Sequence, residues 1–145
     1  MVELKEITAD NYNDCLKLEV SDSQKNFVAS NMYSLAQAWV FYNTAYPFAI
    51  YAGDEMVGFI MMGYHKPKGI YNIWRFMIDK RFQNKGYGKA ALLLAVKYIR
   101  EKYNASELYL SFEPENSTAE KLYNSIGFAR TGEVDDGEIV MCLKM

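Results

Sequence analysis

Two glycines one residue apart, Gly86 and Gly88, lie between an apolar stretch ending at Ile78 and a long apolar run, Ala90 to Ile99. Lys85 and Lys89 flank them. Ahead of them, Ile73, Trp74, Phe76, Met77 and Ile78 are β-prone and adjoin rather than strictly alternate, as in a strand covered on both faces. Asp79 to Phe82 breaks that pattern, so the layout is strand, short glycine turn, helix. A helix start leaves several backbone N–H groups unpaired and carries the positive end of the helix dipole. With no Cβ at Gly86 or Gly88, the backbone can approach a ligand closely. The chemistry open to such a turn is holding an anion, a pyrophosphate foremost. These residues also allow a plainer reading, a glycine turn with solvated lysines between two core elements.

Two other phosphate motifs fit poorly. A P-loop needs a glycine upstream and Ser or Thr after the Gly-Lys pair, but Ala90 follows Lys89. A dinucleotide fingerprint wants a third glycine where Ala91 stands, with a second nucleotide half after it. His65 is the chain's one histidine. Its place at a strand end beside a turn makes it either a general base or an ordinary surface residue. Cys15 and Cys142 are far apart, without metal or redox spacing, and read as reduced thiols, Cys142 buried in a late strand.

The elements that must position these groups can be read in order. Val2, Leu4 and Ile7 indicate a short strand with one wet face. Thr8 to Asn11 can cap a helix carrying Tyr12, Cys15, Leu16 and Leu18. After a polar gap, Ser21 to Asn26, a helix is predicted over Phe27 to Tyr42. Its stripe is Met32, Leu35, Ala36, Trp39 and Val40. Pro47 to Ala52 and Met56 to His65 form a hairpin around Gly53-Asp54-Glu55. Lys66 to Gly69 turns the chain into the strand before the glycine loop. A helix over Gly86 to Tyr103 is followed by a strand, Glu107 to Phe112. The next helix is capped by Asn116 or Ser117, with Ser117 and Glu120 fitting a capping box, and ends at Gly127. Strands Phe128 to Glu133 and Glu138 to Leu143 close the chain around Asp135-Asp136-Gly137. The order is β-α-α-β-β-β-α-β-α-β-β, an α/β mixed sheet flanked by helices.

The 145 residues suit one domain, 1–145, with a continuous core. Half the residues are apolar, which argues against disorder. A net charge of −2 without Lys/Arg runs gives no nucleic-acid footprint and is compatible with a cationic substrate. No membrane-length apolar run and no leader pattern is present, so the expected location is cytoplasmic.

Gln83-Asn84-Lys85-Gly86-Tyr87-Gly88 resembles the Q/R-x-x-G-x-G/A pyrophosphate loop of the GNAT family of N-acetyltransferases. The longer run from Arg75 to Lys89 is similar to the bacterial spermine/spermidine branch of that family. Glu115-Asn116, Ala119, Leu122-Tyr123 and Gly127-Phe128 match a second motif of the family, in the expected order. The resemblance runs from about Phe48 onward. It implies the acyl-CoA N-acyltransferase fold, in which the strand ending at Ile78 and the Glu107 strand are parallel neighbours splayed at their C-terminal ends. It also implies acetyl-CoA as co-substrate, with no metal, in the gap between those strands.

By the same resemblance, backbone groups of Phe76, Met77 and Ile78 hold the pantetheine and acetyl group. Gln83, Asn84, Lys85, Gly86, Tyr87, Gly88 and Lys89 hold the pyrophosphate. Asn116, Ala119 and Tyr123 form a stripe along a helix touching the cofactor. Tyr123, which composition alone reads as a core tyrosine, becomes the general acid for the departing thiolate. An acidic residue common in the family near Trp74 is missing here, so Glu113 is the substitute base, with a water chain as the alternative.

For the acceptor, Glu19, Asp22, Tyr33 and Trp74 are the candidates, the helix over Phe27 to Tyr42 overhanging the substrate mouth. The expected activity is acetyl transfer to a primary amine, a polyamine or diamine first. A protein N-terminus, an aminoglycoside-like amine or a non-catalytic acyl-CoA sensor are the alternatives. A homodimer is the oligomer the family makes familiar.

Overall fold

A seven-stranded mixed sheet carries the molecule, and the computed structural model describes all of residues 1–145. The elements run β1 (Val2–Glu6), α1 (Tyr12–Lys17), α2 (Asn31–Val40), β2 (Ala45–Ala52), β3 (Glu55–His65), β4 (Ile70–Ile78), α3 (Tyr87–Tyr103), β5 (Glu107–Phe112), α4 (Ser117–Ile126), β6 (Ala129–Asp135) and β7 (Glu138–Lys144). Short 3₁₀ turns occupy Asp22–Gln24 and Lys80–Phe82. This is the order expected from the sequence. The strands lie β1-β2-β3-β4-β5-β7-β6 across the sheet, and only the β4–β5 pair is parallel.

Each face of the sheet has its own core. On one side Ile50, Ile60, Ile73, Leu108, Leu110, Phe112 and Met141 meet Leu92, Ala95 and Ile99 of α3 and Tyr123 of α4. On the other, Ala49, Phe59, Met61 and Met77 meet Cys15, Leu18 and Ala38 from the α1–α2 side. The strand ending at Ile78 is covered on both faces as read, Ile73, Phe76 and Ile78 packing on one side and Met77 and Trp74 on the other, with only Ile73 and Met77 fully buried, while β3 is buried from Met56 to Gly63. Pro47 lies inside β2, opposite Met61, where β1 no longer runs alongside. Its missing N–H costs no ladder bond there.

Several local expectations need correction. The predicted helix over 27–42 begins only at Asn31, where the Ser30 side chain accepts a hydrogen bond from the Tyr33 N–H. Most of its apolar stripe is turned outward, with Leu35 packing against the core. Asn31, Ser34 and Ala38 are buried, while Met32, Trp39 and Val40 are 65%, 78% and 68% exposed. Asn31 is drawn in because its amide donates to the Cys15 carbonyl at 2.9 Å, a tie an apolar residue cannot supply. Ile7 falls just beyond β1. The Ser117–Glu120 capping box does not form. Asn116 caps α4 by accepting from the Ala119 N–H, and Glu120 instead takes a two-pronged contact from Arg130 at 2.6 and 2.8 Å. Cys142 is only half-buried; Cys15 is the sealed thiol, and its burial pushes its pKa up to about 11. No helix is long and apolar enough to cross a membrane.

Candidate active site

The parallel pair β4–β5 is joined at one point only, Asn72 opposite Tyr109. Beyond it the strands part, and a cleft of about 1220 Å³ opens between them. A bulge in β4 shapes one wall. Met62 pairs with Ile73 and Met61 with Arg75, leaving Trp74 without a partner on β3. The extra residue puts Trp74 and Arg75 both toward α2, while Ile73, Phe76 and Ile78 face the α3 side. The cleft thus connects two chemically different faces of the sheet.

On the α3 side the lining includes Phe76, Ile78, Gly86, Tyr87, Gly88, Lys89, Asn116, Ala119, Leu122 and Tyr123. Gly86 is the N-cap of α3 at φ +83° and offers no side-chain cap. The first helical hydrogen bond from this turn comes from Ala90 N–H to the Gly86 carbonyl. The N–H groups of Tyr87, Gly88 and Lys89 precede it and have no helical acceptor, which makes this end of a 17-residue helix fit for an anion. A side chain at Gly86 would meet nothing, so the requirement there is the left-handed backbone rather than space. At Gly88 a Cβ would touch Phe76, Leu122 and Ile78 at 3.4, 3.5 and 3.6 Å, so glycine widens the groove floor.

Gln83 and Asn84 also line the cleft, but the Gln83 amide donates to the Gln24 side chain at 2.8 Å and to the Ile78 carbonyl at 3.0 Å. Its side chain therefore ties the end of β4 to the loop before α2. Lys85 is exposed and is not part of the lining.

Just before this loop stands a group the sequence reading missed. Asp79 is 2% exposed and accepts from the Glu19 N–H, the Arg81 N–H and Arg81 Nε, all at 2.8–2.9 Å. Burial pushes its carboxyl up, but those hydrogen bonds and the Arg81 charge outweigh it and hold it below its ordinary value. Asp79 fixes the chain where β4 turns into the glycine loop.

Tyr123 is buried between Phe112 and Phe128, at ring distances of 6.2 and 6.1 Å, and still lines the cleft. Burial, aided by the charge of Glu138, pushes its pKa up to about 12, so the hydroxyl keeps its proton at neutral pH. Such a group can donate a proton to a departing anion and cannot serve as a base.

The opposite face of the cleft holds Trp74, Arg75, Tyr109, Ser111, Glu113, Glu138 and Val140, with Asp135 and Asp136 at the β6–β7 turn. Trp74 packs edge-on against Phe41, at 5.7 Å. Arg75 donates from Nη2 to Gln37 at 2.9 Å and from Nη1 to the Trp74 carbonyl at 3.0 Å. His65 lies exposed at the rim, by the β3–β4 turn.

Of the acceptor candidates, the structure brings only Trp74 to this cleft, along with Glu113. Glu19 contacts Lys80 and Lys25 at 3.3 and 3.9 Å, and Asp22 contacts Lys25 at 3.2 Å, all outside the lining. Tyr33 is 57% exposed and also outside it. Of the acids that also line the mouth, Asp135 and Asp136 read in sequence as hairpin-turn residues and Glu138 as the first residue of the last strand. Only the β5–β7 register, Ser111 opposite Val140 and Phe112 opposite Ile139, carries them to the cleft.

A mixed sheet split at one parallel pair, with a helix N-terminus at the split and a protonated tyrosine beside it, is suited to hold an anionic ligand and to give a proton to a departing anion. The comparisons agree. Residues 10–128 match the model of the Acetyltransferase (GNAT) family, and the chain belongs to that family. It is an N-acetyltransferase.

Among curated proteins it is 34% identical to spermine/spermidine N(1)-acetyltransferase of Bacillus subtilis (strain 168) over 149 residues, covering 97% of this chain and 96% of that one. Among solved structures it is similar to spermidine N-acetyltransferase from Vibrio cholerae in complex with CoA and spermine. The TM-score is 0.77 at 16% identity, over 97% of this chain and 92% of the other. The PaiA N-acetyltransferase from Thermoplasma acidophilum, in complex with coenzyme A, gives 0.75 at 17% identity over 100% and 99%.

Proposed function

We propose that this enzyme transfers the acetyl group of acetyl-CoA to a primary amine of a polyamine, spermidine or spermine. One observation carries the acceptor: the wall opposite the cofactor face bears the carboxylates Glu113, Asp135, Asp136 and Glu138, with Trp74 and Phe41 across from them. Carboxylates spaced along a groove with aromatic faces between them suit a flexible polycation. The full-length similarity to the Bacillus enzyme supports the same substrate class.

In this reading the pyrophosphate lies on the N–H groups of Tyr87, Gly88 and Lys89, with Lys89 adding charge. The free edge of β4 at Phe76, Met77 and Ile78 holds the pantetheine arm as an added strand. An N–H of that edge faces the thioester oxygen, where negative charge develops as the amine attacks. Ala119 leaves room for the cofactor beside α4, and Asn116 holds the start of that helix. When the C–S bond breaks, the Tyr123 hydroxyl gives its proton to sulfur and regains one from solvent.

The test is a panel of amines followed by release of the free CoA thiol. Spermidine and spermine are expected to turn over well above an aminoglycoside or a peptide N-terminus. Robust activity on the peptide with none on polyamines replaces the acceptor; binding of acetyl-CoA without turnover on any amine makes the chain a sensor.

A further inference from the structure

One carboxylate of the acceptor wall is built in differently from the rest. Glu138, the first residue of β7, is half-buried, and its Oε1 accepts from Ser111 Oγ at 2.6 Å. Ser111 and Val140 are register partners, so Ser111 and Glu138 share the sheet face that Trp74 and Arg75 also look out on. Glu113, the carboxylate that the sequence favours, lines the same cleft without a hydrogen-bond partner.

The charge of Glu138 reaches across the gap in both directions. It helps to raise Tyr123 from the α4 side, and with Tyr33 it works against the burial that lowers Arg75 on β4. Glu138 lines the same cleft as Tyr123, the proton donor of the leaving group, and Arg75, the cation of the β4 wall. Arg75 cannot give up its proton, and in a confined site it disfavours a second cation beside it. An ammonium entering there is pressed to lose its proton, and a fixed carboxylate next to it is the group able to take it. The other charged or titratable groups sharing this part of the lining are Glu113 from β5 and Asp135 and Asp136 from the hairpin.

Resting on the polyamine reading, we propose that Glu138, held by Ser111, is the catalytic base that accepts the proton of the acceptor's reacting ammonium. The N–H bond breaks toward Glu138 and its electron pair stays on nitrogen. That pair forms the bond to the thioester carbon; as the adduct collapses the nitrogen gives its second proton to solvent, the C–S bond breaks, and sulfur takes its proton from Tyr123, which is reprotonated from solvent. Glu138 then releases its proton to solvent.

The experiment compares Glu138→Gln, Glu113→Gln and the wild type with spermidine across pH. Glutamine keeps an oxygen for Ser111, so the hairpin stays intact. Glu138→Gln is expected to lower kcat/KM by about 10²-fold or more at neutral pH, with acetyl-CoA affinity unchanged. Its residual rate should keep climbing toward the amine's own pKa, about 10, while the wild type levels off earlier. Glu113→Gln should raise KM for spermidine, because one carboxylate of the wall is lost, and keep kcat within about threefold of wild type with the same pH profile, since its carboxylate plays no part in the proton transfer. Ser111→Ala, which frees the carboxylate without removing it, should cost about fivefold, the worth of one hydrogen bond. A Glu138→Gln variant within threefold of wild type and with the same pH profile overturns the assignment, as does a fall in kcat with a changed pH profile in Glu113→Gln instead. Failure of the wild type itself to acetylate spermidine overturns the polyamine reading, and this one with it.

Discussion

At the scale of single residues, chemistry and stability separate cleanly. The Tyr123 ring fills space between Phe112 and Phe128, while its hydroxyl has no protein partner. Tyr123→Phe should leave the melting temperature and the acetyl-CoA dissociation constant unchanged and lower kcat by roughly 10²–10⁴-fold. Equal turnover in the variant would return the residue to a packing role. Asp79 is the converse, a buried charge that serves the fold. Its carboxyl is held below its ordinary value, so its stabilisation is complete above the unfolded pKa of about 3.9 and is lost as pH falls through the lower folded value. Denaturation of Asp79→Asn should show stability reduced by roughly 1–3 kcal/mol at neutral pH and a flatter decline on acidification than wild type. The place of Tyr123 beside the cleft was legible because a motif surrounds it. Asp79 was not, because nothing in the sequence says that Glu19 and Arg81 will converge on it.

At the scale of elements, the glycine loop and α3 were legible from the change of period at Asp79 and from Gly86 and Gly88. What each glycine does was not. Gly86 is needed for its φ of +83°, in open space, whereas Gly88 floors the groove beneath Phe76 and Leu122. Gly86→Val is therefore expected to cost about 1–2 kcal/mol, through the left-handed backbone, and to weaken acetyl-CoA binding by misdirecting the N–H groups after it. Calorimetric titration of the folded variant checks this, and an unchanged affinity would remove the anion site from this loop. The second helix shows the limit of periodicity. Its stripe at Met32, Trp39 and Val40 has helical spacing, but the hydrogen bond from Asn31 to the Cys15 carbonyl and the small Ser34 and Ala38 decide which face goes in. Spacing reveals a helix; it does not say which side the rest of the chain will cover.

Over the whole molecule, the order of elements was readable, and of the acceptor wall only Trp74 and Glu113 were. It is assembled from the bulge at Trp74, the end of β5 and the β6–β7 hairpin, segments far apart in sequence that only strand register brings together. That is why Glu19 and Asp22 were reasonable candidates by position and yet lie outside the cleft, paired with Lys25 and Lys80. The split sheet makes its two faces meet at one gap, and in the proposed function an acetyl group crosses it from thioester to polyamine nitrogen. The direct measurement is to incubate the protein with acetyl-CoA and spermidine, quantify free CoA thiol, and identify the product by mass spectrometry. The predicted result is acetylspermidine formed one for one with thiol released. Acetyl-CoA that binds but yields no acetylspermidine, or thiol released without it, would contradict the account.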